Sequence, residues 1–382
     1  MQLSIIILNY NVRYFLELCV LSVQNAIQNI DAEIIVIDNN SQDDSCAMMK
    51  QRFPNIKLIE NKENSGFPKG NNIGVSQAKG EYICILNPDT VVAEDTFTKV
   101  LAFAKKQTNL GIIGCKLIDG TGNFLPESKR GTPTPFVAFT KITGLYKIFP
   151  KLFGKYYAQH LSENESGEVE ILVGAFMLMK RDLYNEIGGF DEHCFMYSDD
   201  IDLSYMALKK GKLNYYFHET SVIHYKGEST VKDGIYMKRN QQAMNFFFKK
   251  HFRVSFFFTV FMKLGIVFFS VVKLFQWKSK PKSKPENYIL LSDNEVLREN
   301  LENQLKKPVK RQNSTKLFKK NTASEIIFDE NYLDFKTIIE AFETNKDKNF
   351  TFRILPKSTC FIIGSDSSFD RGEVLKMEEF RF

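Results

Sequence analysis

The chain has 382 residues, 43% of them hydrophobic and 25% charged, an ordinary globular balance with room for two or three domains and a sizeable buried core. Its net charge of +6 is local: Phe246 to Pro285 holds nine Lys or Arg and no acid, while the rest is mildly acidic, which argues for an anionic membrane surface and against a nucleic-acid footprint spread over a domain. The six cysteines are scattered without a close pair, so zinc-knuckle and redox-motif readings fall away, and reduced thiols in the cytosol are expected.

Taken in order, Ser4-Ile5-Ile6-Ile7-Leu8 reads as a strand, because no basic n-region, longer apolar run or cleavage site accompanies it; export is not expected. Apolar runs at Leu3 to Leu8, Glu33 to Ile37 and Tyr82 to Leu86 alternate with helical stretches such as Tyr14 to Gln28, the pattern of an α/β domain with a mainly parallel central sheet. Ligands collect at the carboxyl ends of such strands. Here those ends carry Asn9-Tyr10-Asn11, Asp38-Asn39-Asn40-Ser41 and Asn87-Pro88-Asp89-Thr90. Asp89 can hold a divalent cation against a diphosphate, since Mg²⁺ takes few protein carboxylates; a plain turn accounts for the same four residues.

Asn64 to Gly74 leads into a helix with three glycines and three asparagines, either letting N–H groups and Lys69 approach a phosphate or serving a loop that needs positive φ. Gly131 to Glu168 is irregular and reads as a substrate-specific insertion. Beyond Gly188-Gly189-Phe190-Asp191-Glu192, Ser198 is placed as an N-cap, which sets Asp199, Asp200 and Asp202 in one first helical turn. Acids there favour the helix dipole, but three carboxylates in four residues repel one another, which points to function. His224 ends an apolar run before Tyr225-Lys226-Gly227; it is either a metal ligand, with Lys226 near phosphate, or a structural histidine.

In this order the motifs Ser4 to Asn11, Ile37 to Ser41, Asn64 to Gly74, Leu86 to Asp89, Gly188 to Glu192, Asp199 to Leu203 and His224 to Ser229 resemble glycosyltransferase family 2, and within it the bacterial rhamnosyltransferase branch, over about Met1 to Phe275. The resemblance implies a GT-A type nucleotide-binding domain, a nucleotide-diphosphate sugar donor (dTDP-rhamnose in that branch), Mg²⁺ or Mn²⁺, and inversion at the anomeric carbon. It implies Asp89 and His224 at the metal, Asp200 or its neighbour Asp199 as base, and Asn9, Asn11, Asp38, Asn40, Gly66, Lys69, Asn72, Asn87 and Asp202 around the nucleotide-sugar. The acceptor it implies is a glycan or a polyprenyl-diphosphate-linked sugar in cell-surface polysaccharide synthesis. The competing readings are an inactive nucleotide-sugar-binding module and a nucleotidyltransferase.

The expected domains are a GT-A domain at 1–240; a Phe-rich basic amphipathic helical segment at 241–278, lying in the inner face of the cell membrane as a peripheral or monotopic anchor; a linker at 279–287; and a small C-terminal α/β unit at 288–382 remote from the transfer site. Lys263 and Lys273 leave no uninterrupted run of the about 20 residues a spanning helix needs.

Overall fold

The computed structural model describes residues 1–134, 136–137, 140, 154–226, 234–252, 285–315, 323–346, 348–367 and 372–377. The first part runs β1 (Leu3–Asn9), α1 (Arg13–Ala26), β2 (Ala32–Asp38), α2 (Ser45–Arg52), β3 (Lys57–Glu60), α3 (Gly66–Ser76), β4 (Tyr82–Leu86), β5 (Thr90–Val91), α4 (Thr96–Lys106), β6 (Leu110–Ile118), β7 (Gly167–Val169), β8 (Phe176–Lys180), α5 (Arg181–Glu186), α6 (Asp199–Lys209), β9 (Leu213–His224) and α7 (Gly234–His251). The strands form one sheet in the order β3-β2-β1-β4-β8-β6-β9-β5, with β7 added to β9. β3, β2, β1 and β4 are parallel, as are β6 and β9; β8 runs against both its neighbours.

Every residue of β1 is buried, because helices cover both faces of the sheet. Side chains alternate across a strand: Ile5 and Ile7 share a core with Leu16, Val20 and Val23 of α1, while Ile6 and Leu8 share another with Val75 of α3. A Cβ on Gly70 would lie 2.5 Å from Leu8 Cδ1, and one on Gly74 2.4 Å from Ile37 Cδ1. Those two glycines therefore let α3 press onto β1 and β2, and the phosphate reading of them gives way to packing. In-register pairing sets Asn9 level with Asp38 and Ile7 level with Leu86, so three adjacent parallel strands end side by side.

The tail runs β10 (Asn287–Leu291), α8 (Glu295–Leu305), β11 (Val309–Arg311), β12 (Ser324–Asp329), α9 (Phe335–Asn345), β13 (Phe350–Leu355), β14 (Phe361–Gly364) and β15 (Glu373–Lys376), in a second sheet ordered β11-β10-β12-β13-β14-β15. It does not stand apart as the expected linker implies. Val12, Phe15 and Leu18 of the α1 region, Ile118 and Tyr225 share one core with Leu291, Phe328, Phe335, Phe342 and Phe352. The Glu94 carboxylate accepts the N–H groups of Phe335 and Lys336 at 2.8 Å, tying the start of α9 to the first unit. Lys336 to Asp95 at 2.7 Å and Lys116 to Glu343 at 2.8 Å add charge pairs across the same joint.

Of the expected membrane segment, the described part ends at Phe252. Phe247 and Phe248 are buried, and Phe247 packs with Ile171, Ile201 and Tyr205, so this portion lies against α6 and not in an interface. Residues 253–278 and most of the linker lie outside the described residues. Among the described residues no helix is long and apolar enough to cross a membrane.

Candidate active site

At the ends of β1 and β2, Asn9 Nδ2 donates to Asp38 Oδ1 at 2.7 Å and to Ser41 Oγ at 3.1 Å, and the Ser41 N–H donates to Asp38 Oδ2 at 2.8 Å. Asn11 joins them: its N–H reaches Ser41 Oγ at 2.9 Å and its Oδ1 accepts from Gln42 N at 2.6 Å. Asn11 and Asn40 sit at φ 57° and 64°, a left-handed turn that asparagine tolerates better than most residues. Asn9, Asn11 and Asp38 are thus gathered in one polar knot with Ser41 at its centre, and Asn40 stands in the exposed turn beside it. The buried Asn9 Oδ1 has no hydrogen-bond partner.

Pairing of Thr90 in β5 with His224 in β9 brings the next cluster together. His224 Nε2 is 3.4 Å from Asp89 Oδ1 and 3.4 Å from Asn87 Nδ2. Asn87 Oδ1, Asp89 Oδ1 and His224 Nδ1 are buried without a hydrogen-bond partner, a costly state for polar atoms that native sites keep for a reason. A carboxylate suits Mg²⁺ or Mn²⁺ when phosphate oxygens complete the shell, and an imidazole suits the transition metal Mn²⁺, so Asp89 fits either cation and the pair with His224 fits Mn²⁺ better. Among the described residues no group of three or more His, Cys, Asp or Glu is placed to hold a metal unaided. Lys226 is paired with the Glu127 carboxylate, away from the phosphate role expected for it.

The first turn of α6 carries the acidic triplet. Ser198 occupies the N-cap, but its hydroxyl goes to Cys194 Sγ at 3.2 Å and makes no cap hydrogen bond. Tyr197 just before it is held at φ 82°, a conformation costing about 1–3 kcal/mol for a bulky side chain. Asp200 Oδ2 accepts from Arg130 Nη2 at 2.5 Å and from the Gly174 N–H at 3.2 Å, and Oδ1 accepts from Ile201 N at 2.7 Å. Burial first, then the charge of Asp200, push Asp199 up to about 7, against the lowering effect of main-chain N–H groups and Arg130.

Asp202, expected beside the nucleotide-sugar, is paired within the protein: Lys250 Nζ reaches it at 2.8 Å and His251 Nε2 at 2.5 Å. Lys250 also holds Asp191 at 2.6 Å; burial would raise that carboxyl, but hydrogen bonds from Lys250 and His193 bring it down to about 2. Asn72 is likewise committed elsewhere, taking Tyr184 OH at 2.5 Å and Phe190 N at 3.1 Å on Oδ1 while its Nδ2 reaches Phe190 O and Glu192 at 2.9 Å. It braces the Gly188 to Glu192 turn. Lys69 is half-exposed with Glu63 at 3.7 Å, and Gly66, at φ 82°, accepts from Asn39 Nδ2 at 3.2 Å.

One short segment joins the clusters. The Gly174 N–H donates to Asp200, and the carbonyl of the next residue, Ala175, accepts from Asn87 N at 3.0 Å. A Cβ on Gly174 would lie 3.4 Å from Asp200 Cβ and 3.7 Å from Phe67. Asp200 is thus linked, through the main chain of Gly174 and Ala175, to the main chain of Asn87 at the strand end. Residues 4–188 match the family described as Glycosyl transferase family 2.

The chain carries a family 2 glycosyltransferase domain. The acidic turn of α6 falls just past the matched residues. The chain is similar to the N-acetylglucosaminyl-diphospho-decaprenol L-rhamnosyltransferase of Mycobacterium tuberculosis, 26% identical over 212 residues that make up 52% of this chain and 68% of that one. It is also similar to the low-salt glycan biosynthesis hexosyltransferase Agl10 of Haloferax volcanii, 27% identical over 55% of this chain and 62% of that one. Among solved structures it is similar to the mannosyltransferase PcManGT of Pyrobaculum calidifontis in complex with GDP-Man and Mn²⁺, at 18% identity and a TM-score of 0.46, covering 64% of this chain and 61% of that one.

Arg130 is the residue of this glycosyltransferase domain that motif reading passed over, and Ser41, though inside the strand-end motif, was given no role of its own. A cluster of three acids implies a buried cation, and Lys129-Arg130 at the edge of the irregular region was the available signal.

Proposed function

We propose that this chain is an inverting, divalent-cation-dependent glycosyltransferase that moves a sugar, with dTDP-rhamnose the favoured donor, onto a glycan or polyprenyl-diphosphate-linked acceptor at the inner face of the cell membrane. The observation that supports the reading is the Gly174-Ala175 bridge, which links Asp200 of α6 to the main chain of Asn87, two residues before Asp89. Asp38, Asn9, Asn11 and Asn40 form the wall for the nucleoside, with Gly66 and Lys69 toward the diphosphate. Asp89 and His224 would hold the cation, which when bound supplies positive charge to the leaving diphosphate. One of the α6 carboxylates takes the proton of the acceptor hydroxyl as its oxygen attacks the anomeric carbon in line, and no covalent enzyme intermediate is needed. The similarity to the mycobacterial rhamnosyltransferase favours the sugar and the lipid-linked acceptor; it bears on the membrane face only through that acceptor.

The test incubates purified protein with a panel of nucleotide-sugars, Mg²⁺ or Mn²⁺ and a polyprenyl-diphosphate N-acetylglucosamine. Release of nucleoside diphosphate with an inverted anomeric centre is expected, dTDP-rhamnose being the best donor. Release of pyrophosphate would replace the reading by nucleotidyl transfer, and donor binding without turnover by an inactive sugar-nucleotide module.

A further inference from the structure

The strand pair that brings Asp89 to His224 is walled by the second unit. Thr90 and Val91 of β5 pair with His224 and Ile223 of β9, and the N–H of Tyr225, the next residue, donates to the Asp89 carbonyl at 3.0 Å. Val91, Ile223 and Tyr225 are each fully buried, and all three enter the core that Phe328, Phe335, Phe342 and Phe352 of the second unit complete. Helix α9 packs along β9. The Tyr225 ring lies 5.0 Å from the Phe15 ring of α1, centroid to centroid, and it also meets the turn after β6. That turn has no spare room: a Cβ on Gly120 would lie 3.0 Å from Tyr225 Cδ1 and 2.7 Å from the carbonyl oxygen of Ser365 in the second unit. A Cβ on Gly122 would lie 2.2 Å from the Phe342 carbonyl oxygen. Asp119 braces the turn from inside, its Oδ1 accepting from Thr121 N at 2.9 Å and from Asn123 N at 3.0 Å.

The His224 imidazole has little of its own to hold it. A metal-binding histidine ordinarily donates its second ring nitrogen to a carboxylate or a carbonyl, which fixes the ring. Here Nδ1 has no hydrogen-bond partner among the described residues, and Nε2 stands 3.4 Å from both Asp89 Oδ1 and Asn87 Nδ2. Its place is therefore set by the main chain on either side, which Ile223 and Tyr225 anchor in the shared core. We propose that the second unit is a working part of the transfer site: docked on Ile223 and Tyr225, it holds His224 in reach of Asp89, with Tyr225 the positioning residue. This rests on the reading of Asp89 and His224 as the groups that hold the cation. A close-packed core has no void to absorb a displacement, so a shift at the joint reaches His224, one residue from Tyr225.

The experiment measures Mn²⁺ binding to the full chain by electron paramagnetic resonance with dTDP, UDP or GDP present, and cation-free dTDP affinity by calorimetry. The variants are Tyr225→Phe, Tyr225→Leu, Gly120→Ala, Lys336→Ala, His224→Gln and His224→Gln/Tyr225→Leu, with the melting temperature recorded for each. Tyr225→Leu and Gly120→Ala should each weaken Mn²⁺ binding about tenfold, with cation-free dTDP affinity within about threefold, since loss of a ligand's outer support costs metal affinity first. Tyr225→Phe keeps the ring and should bind Mn²⁺ as the parent does. Lys336→Ala cuts an exposed charge pair with Asp95 at the same joint and should leave Mn²⁺ affinity within about threefold. The double variant should bind Mn²⁺ no worse than His224→Gln, because Tyr225 acts through His224. A joint that only stabilises the fold would lower the melting temperature of Tyr225→Leu and Gly120→Ala while Mn²⁺ affinity stays within about threefold of the parent, which overturns the proposal. An additive loss in the double variant, or an equal loss in Lys336→Ala, overturns it as well. Should Tyr225→Leu fail to fold, Gly120→Ala decides. A parent that binds no Mn²⁺ with any of the three nucleotides sinks the cation reading itself, a different failure, seen before any variant is compared.

Discussion

The two sheets end in opposite ways. At the carboxyl edge of β1, β2 and β4, Asn9, Asn87 and Asp89 keep buried oxygens with no partner, and two asparagines sit in left-handed turns. At the carboxyl edge of β10, β12 and β13, Ser292 Oγ donates to Asp329 Oδ2 at 2.6 Å, Asn331 N donates to Asp329 Oδ1 at 2.9 Å, and Glu330 takes the Lys357 N–H at 2.7 Å. The first unit then covers that second edge, with Asn25 on Glu330 at 3.3 Å and Arg52 on the Lys357 carbonyl at 3.1 Å. The same parallel topology yields a site where polar ends are left for a ligand and a joint where neighbours satisfy them.

The sharpest way to break this contrast is to change one aspartate on each edge. Asp89→Asn should cost about 10³-fold in kcat/KM and weaken the cation dependence of donor binding, whereas Asp329→Asn should leave kcat/KM within about threefold and lower stability; equal losses in a steady-state assay would erase the distinction. A next test concerns the joint. Phe342→Ala removes a fully buried ring from the shared core and should destabilise by about 3–5 kcal/mol in urea titration. Hydrogen exchange should then quicken in α1 as well as in α9, since both bury their faces together; unchanged protection of α1 would make the tail a separate body. The smallest effect concerns pH. Asp199 is raised from an ordinary carboxylate value to about 7, so the folded state holds a proton that the unfolded state has lost, and the resulting destabilisation grows as pH rises from about 4 through 7. Asp199→Asn should therefore melt about 2–5 °C above the parent at pH 8, with the gain shrinking toward pH 5, by differential scanning fluorimetry.

Much of the first unit was legible because period and punctuation agree there. The strand expected at Leu3 to Leu8 spans Leu3–Asn9, that at Glu33 to Ile37 spans Ala32–Asp38, and that at Tyr82 to Leu86 has those bounds; Gly211, in a left-handed turn at φ 74°, ends α6. The polar groups at those ends were legible for the same reason, since a strand's end can be counted. What the sequence hid is long-range pairing. Nothing near Asp202 says that Lys250 and His251 will take it, nothing near Asn72 announces the turn it braces, and Arg130 sits 70 residues from its partner Asp200. The Phe-rich run was read as facing lipid because a buried aromatic face and an interfacial one share a helical period; the packing of Phe247 on α6 decides it for the described turns.

The core shared by Val12, Phe15 and Leu18 with Phe328, Phe335 and Phe342 also has a meaning in time. A ribosome adding about 5–20 residues per second makes the helix α1 tens of seconds before it makes α9. During that interval β1, β2 and α3 can assemble behind it, yet the outer side of α1 has no lasting cover. The nascent chain must carry that apolar stripe in water or in the grip of a chaperone until Phe328, Phe335 and Phe342 emerge, so the order of synthesis makes the second sheet's unit a late-arriving lid on a helix made well before it.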